Sequence, residues 1–244
     1  MTSWSDLSNL FKEAKRTHPS IDHVFANAGI TGRADYLAEA LDEHGDLLEP
    51  SFLNFDINLR AVVNTVTLAI HYMRHQPSGG DVVMTGSASS FQPLCTPDYN
   101  SSKHGVLGYM RGLKSLLQIS NIPIRLNVIT PGWTETALFP RDLITSAGGK
   151  IQTAADVAPS PALLMADSKR NGQVIYSEEA RLWEIEEALL LPTALSVSIP
   201  GTQGLDETLV KAVGLIEATA AKEAAQGSAD GESKIPKVNL VTFN

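Results

Sequence analysis

The chain has 244 residues, of which 43% are hydrophobic and 19% charged, and this is ordinary for a globular α/β protein able to bury a sizeable core. A formal net charge of -8 with scattered Lys and Arg speaks against nucleic acid and against an anionic membrane surface. A single cysteine, Cys95, excludes an internal disulfide and a thiolate zinc site, and the absence of a signal peptide or a membrane-length apolar run makes the cytosol the default expectation.

The first element is a helix. Ser3-x-x-Asp6 reads as a capping box, and Leu7, Leu10, Phe11 and Ala14 carry a helical period up to Pro19. Asp22 to Ala26 is a short strand, and residues 33–50 are a polar, acidic loop with a helical turn. A long helix runs from about Ser51 to His75 and is ended by Pro77-Ser-Gly-Gly80, which leads into the strand Val82 to Thr85.

The next helix begins near Tyr99 and continues through Val106, Met110, Leu113 and Leu117. After Asn121-Ile-Pro123 comes the strand Arg125 to Ile129, closed by a Pro131-Gly132 turn. A helix opens at Ala155-Asp156-Val157-Ala158, and Gly172 to Tyr176 reads as the last strand. Strands alternating with helices at this rhythm indicate a Rossmann-like parallel sheet with flanking helices, spanning residues 1–199 as one domain. Residues 200–244 read as a C-terminal extension. Leu205, Leu209 and Val213 could form an amphipathic helix, Gln226 to Lys234 has a disordered composition, and Val238 to Phe243 could add a β edge.

Chemistry concentrates in Asp98-Tyr-Asn-Ser-Ser-Lys-His-Gly105. Tyr99 and Lys103 stand at i and i+4, so a helix turns both to one face, and an ammonium beside a phenol should lower the phenol pKa. Ser87 lies twelve residues upstream at a strand end and could hold a substrate oxygen. Its neighbour Ser89 is a rival for that role. Asn58 is an unfavourable mid-helix residue that requires a polar partner.

His71 and His75 share an i,i+4 spacing without a zinc-protease Glu and read as surface residues, so no metal site is expected. His104 faces away from the pair. Glu178-Glu179 and Glu186-Glu187 read as solvated helix faces.

The ordered set Asn27-Ala28-Gly29, Asp56-Ile-Asn-Leu-Arg60, Val82 to Ser87, Tyr99-x-x-x-Lys103 and Thr130-Pro-Gly-Trp-Thr-Glu-Thr136 resembles the short-chain dehydrogenase/reductase family over about residues 1–185. The resemblance implies Asn58, Ser87, Tyr99 and Lys103 as catalytic residues. Asn27, Ala28, Gly29, Tyr99, Lys103, Pro131, Gly132, Thr134 and Thr136 would bind the cofactor, NAD or NADP. Residues 133–150 would form a lid, whose Trp133, Leu138 and Phe139 suit a hydrophobic secondary alcohol or ketone of the kind met in secondary metabolism.

The resemblance further implies a homodimer or homotetramer through the helices near 51–75 and 99–118. The family's N-terminal glycine-rich turn has no counterpart here, so the chain reads as N-terminally truncated, with the cofactor bound weakly or not at all. Two alternatives follow. One is a cofactor-independent isomerase or dehydratase using the same residues, and the other a non-catalytic remnant that pairs with a full-length relative.

Overall fold

The computed structural model describes residues 2–32, 35–198 and 204–225. The expected boundary at 199/200, the segment 226–234 and the β edge 238–243 lie outside them. By internal contacts the chain divides into two units, Met1–Thr193 and Ala194–Asn244.

In the first unit, α1 (Trp4–Thr17) starts where the Ser3 hydroxyl accepts the Asp6 amide, and it buries Leu7 and Phe11 while Leu10 faces outward. Strand β1 (His23–Ala26) follows. The next helix opens at α2 (Leu53–Phe55), passes through a π-helical turn at Asp56–Arg60 and continues as α3 (Ala61–Met73). Strand β2 (Gly80–Thr85) is entered through Gly79 at φ 62, where a Cβ would stand 1.5 Å from the Pro123 carbonyl oxygen, so only glycine fits.

A 3-10 turn at Ala88–Ser90 leads to α4 (Pro97–Ile119), begun by a proline in its first turn. Strand β3 (Ile124–Pro131) is longer than its apolar run suggests, since Thr130 and Pro131 still pair with the next strand. Short helices α5 (Arg141–Ser146), α6 (Ala154–Val157) and α7 (Pro159–Ala166) precede β4 (Val174–Glu178).

The sheet runs in the order β1-β2-β3-β4 and is parallel, with Val24 beside Val82, Val82 beside Leu126 and Val128 beside Val174. A further strand, β5 (Arg181–Glu184), pairs antiparallel with β4, so Gly172–Tyr176 is not the end of the sheet. The hairpin turns at Glu179 and Ala180, both with positive φ, and neither is the glycine or asparagine that signals such a turn. Glu178 is therefore a strand residue and not a helix residue, although it is exposed as expected. The sheet remains Rossmann-like, with one antiparallel edge strand.

Strand alternation divides the core. Val82, Met84, Leu126 and Val128 pack with α1, α3 and α4 through Leu7, Phe11, Val66, Met73, Val106 and Met110. Val83, Ile129 and Ile175 point the other way, onto Leu164 of α7.

Glu186, in the π-helical turn Glu186–Leu190, is buried and accepts two bonds from Arg111 of α4, at 2.6 and 2.8 Å. The solvated helix face expected at Glu186-Glu187 thus fails at Glu186, because a cation from a distant helix meets it. Helix α8 (Leu191–Leu195) closes this stretch. The second unit contains α9 (Leu205–Ala225), on which Leu209 is exposed. Among the described residues no helix is long and apolar enough to cross a membrane, and no group of three or more His, Cys, Asp or Glu could hold a metal ion.

Candidate active site

The carboxyl ends of β1, β2, β3 and β4 open on a cavity of about 690 Å³, within the range of small-molecule sites at about 300–1,000 Å³. Its wall includes Asn27, Ala28, Gly29, Ser87, Tyr99, Lys103, Pro131, Gly132, Thr134 and Thr136. Ligands of open parallel sheets bind at this end, where loops and helix starts converge.

Tyr99 sits in the first turn of α4 and is 9% exposed. Its phenol shares the cavity wall with Ser87. Burial pushes the phenol pKa up, and the Ser87 side chain opposes that shift without cancelling it. Lys103, one helical turn on, is 3% exposed, and its Nζ donates to the Thr85 carbonyl at 2.8 Å. The same Nζ lies 5.8 Å from the centroid of the Tyr99 ring. Burial pulls the Lys103 ammonium down to about 8. The expected lowering of the phenol pKa is therefore not what this geometry yields: desolvation dominates, and the phenol is held protonated at neutral pH.

Ser87 is positioned by its own loop. Its hydroxyl accepts the Ser89 amide at 3.2 Å, and its amide donates to the Ser90 hydroxyl at 3.1 Å. Ser90 in turn donates to the Lys103 carbonyl at 2.8 Å, tying the loop to α4. Of Ser87 and Ser89, Ser87 is the one that acts on the Tyr99 phenol. Ser89 also lines the cavity, with its hydroxyl buried and without a hydrogen-bond partner among the described residues. Ser90 was not singled out, and only its place in a capping box three residues after Ser87 could have suggested it.

Asn58 is fully buried and stands behind the cavity wall. Its Oδ1 accepts the Ile30 amide and its Nδ2 donates to the Ile30 carbonyl, both at 2.8 Å. Nδ2 also donates to Asn54 at 2.9 Å. This amide pair fixes the segment Asn27–Ile30 against the π-helical turn. A Cβ on Gly29 would come within 3.0 Å of Asn58 Oδ1 and 3.5 Å of Lys103 Nζ, so the missing side chain leaves the space between them. Asn27 accepts the Thr85 hydroxyl at 2.8 Å.

After β3, the Gly132 amide donates to the Ser177 carbonyl and the Thr134 hydroxyl donates to the Gly132 carbonyl. Gln152 donates to the Thr134 hydroxyl and to the Ser177 carbonyl, which ties this loop to β4. Trp133 and Phe139 meet edge to face at 4.8 Å and add an apolar wall. Gln92, Tyr176 and Glu178 also line the cavity and were not singled out. The signal for the last two was their place at the end of a strand parallel to β2 and β3.

The fold and its cavity define an α/β protein of the Rossmann-like type with a phenol, an ammonium and a hydroxyl gathered at the carboxyl edge of the sheet. A family model described as short chain dehydrogenase matches residues 1–143. The short-chain dehydrogenase/reductase ascJ of Acremonium egyptiacum is 44% identical over 218 residues, covering 87% of this chain and 74% of the relative. The short-chain dehydrogenase/reductase prx4 of Penicillium roqueforti is 33% identical over 211 residues, covering 78% of this chain and 62% of the relative. Among solved structures, a short chain dehydrogenase from Burkholderia cenocepacia in complex with NADP superposes with a TM-score of 0.60 at 23% identity, covering 72% of each chain, which shows a shared fold.

The chain belongs to the short-chain dehydrogenase/reductase family, a family of oxidoreductase enzymes.

Proposed function

We propose that this protein interconverts a secondary alcohol and a ketone on a largely apolar substrate, using a nicotinamide cofactor. The observation that carries the reading is the Tyr99 phenol, buried at the wall of a cavity that Ser87 and Lys103 also line. A phenol held above its usual pKa is a proton donor at neutral pH, so Tyr99 gives its proton to a carbonyl oxygen during reduction and recovers it during oxidation. Ser87 Oγ holds that oxygen and stabilises the charge developing on it. The Thr85 carbonyl directs the Lys103 ammonium toward the tyrosine ring. Asn58 acts through Ile30, holding Asn27 to Gly29 in place.

The donor set fits the nicotinamide-ribose end of a dinucleotide. Lys103 would hold ribose hydroxyls in the space that Gly29 leaves open. Thr134, Thr136 and the backbone at Pro131 and Gly132 would hold the nicotinamide, and Asn27 and Ala28 would line the ribose side. When bound, the cofactor supplies or accepts the hydride, which no side chain can do. That the Burkholderia relative's structure contains NADP supports a nicotinamide in general. A homodimer or homotetramer through α3 and α4 belongs to the same reading and is checked by sedimentation.

The test is oxidation of NADH or NADPH by the purified chain with apolar ketones, followed by absorbance. Tyr99→Phe should cut turnover by about a hundredfold or more, with the far-UV circular dichroism unchanged. Equal turnover in Tyr99→Phe, or turnover that needs no nicotinamide, overturns the reading.

A further inference from the structure

The cavity carries a second polar group that the alcohol-ketone chemistry does not use. Tyr176 and Glu178, near the end of β4, share its wall with Gln92 from the loop after the 3-10 turn. The Tyr176 ring is clamped between Phe91, edge to face at 5.5 Å, and Trp183, stacked at 5.6 Å. A Cβ on Gly132 would lie 3.6 Å from the Tyr176 hydroxyl and 3.7 Å from Glu178 Cβ, so the group abuts the loop after β3.

Two neighbours act on this phenol in opposite senses: Glu178 favours its protonated form, whereas Gln92 favours its deprotonated form. Burial and the carboxylate together push the Tyr176 phenol up to about 12. Glu178 is exposed at the end of β4, and its carboxylate offers about four lone-pair sites, more than one neighbouring phenol can fill. Arg181 stands opposite Glu178 in the β4–β5 register, yet among the described residues no Lys, Arg or His forms an ion pair with Glu178.

Building on the alcohol-ketone reading, we propose that Glu178, which shares the cavity wall with Tyr176 and Gln92, is a specificity residue that selects uncharged substrates bearing a hydroxyl group in addition to the reacting oxygen. A carboxylate is an acceptor only, so it rewards a hydrogen-bond donor and repels an anion. An ammonium substrate is disfavoured by the buried Lys103 in the same cavity and by the cost of taking a cation out of water. The remaining wall, with Leu94, Trp133, Leu138, Phe139 and Val157, takes the apolar body.

The test measures binding of acetophenone, its meta- and para-hydroxy derivatives and its para-carboxy acid to the purified chain by tryptophan fluorescence, alongside nicotinamide-dependent reduction. One hydroxy derivative should bind about tenfold tighter than acetophenone, as a hydrogen bond to a charged group allows, and the acid should bind worst. Glu178→Leu should remove the hydroxyl advantage, and Glu178→Gln should shrink it while improving binding of the acid, a charge effect that a merely structural role would not produce.

A hydroxyl advantage under twofold, its persistence in Glu178→Leu, or no binding of any probe at millimolar concentration overturns the proposal. Hydroxyl-selective binding without reduction would instead sink the alcohol-ketone reading and leave the recognition site standing. Reduction without hydroxyl selectivity would do the reverse.

Discussion

At the residue scale, the buried Lys103 ties the candidate chemistry to pH. Its pKa falls from 10.5 to about 8 because burial disfavours the ammonium. Between those values the unfolded chain holds a proton that the folded chain has released, so this group's contribution to stability rises with pH across that window and is lost as pH falls through about 8. Urea titrations should show the wild type gaining on Lys103→Met as pH is raised through this window. In rate profiles kcat/KM should fall above about pH 8, and Lys103→Arg should move that alkaline limb upward. Gly29→Ala puts a methyl against Asn58 and Lys103, and it should cost about 1–3 kcal/mol in denaturant midpoints because both neighbours are held by hydrogen bonds. The Tyr99 and Lys103 pair was legible from its spacing. The direction of the Tyr99 shift was not, because spacing gives proximity and says nothing of desolvation.

At the element scale, two helices are tied to the rest by single polar side chains. Asn58→Leu would leave the Ile30 amide and carbonyl without their side-chain partner, and thermal or urea unfolding should show a loss of about 2–4 kcal/mol. An asparagine in mid-helix was itself a sequence signal, but its partner lies 28 residues away and only the fold supplies it. Arg111→Met would strand the buried Glu186 carboxylate. Since the Arg111 side chain is 42% exposed and partly screened, the loss should be on the order of 2–3 kcal/mol, below that of a fully buried pair. The pair of glutamates looked like a solvated face because their nearest sequence neighbours include no cation. Strand β5 was missed for a related reason: its turn uses Glu179 and Ala180 at positive φ, where glycine or asparagine would have announced a hairpin.

For the whole molecule, the sheet begins at β1, which pairs only with β2 among the described residues. An edge strand with unpaired backbone groups and a 39% exposed Phe25 is a template for association with another chain. Phe25→Lys should reduce concentration-dependent light scattering on warming, and equal scattering would show that association starts elsewhere.

The sequence by itself determined the alternation of strands and helices, the faces those helices bury and the local geometry of Tyr99 with Lys103. These depend on periods of two and 3.6 residues and on contacts within one helical turn. Only the tertiary structure decided that Ser87, rather than Ser89, acts on the phenol, that Asn58 grips Ile30, and that Gln92, Tyr176 and Glu178 share the cavity. Those groups are brought together by the order of the strands in the sheet, and the protonation of the buried phenol and ammonium follows from how much water that packing removes. Neither is written in any local stretch of the chain.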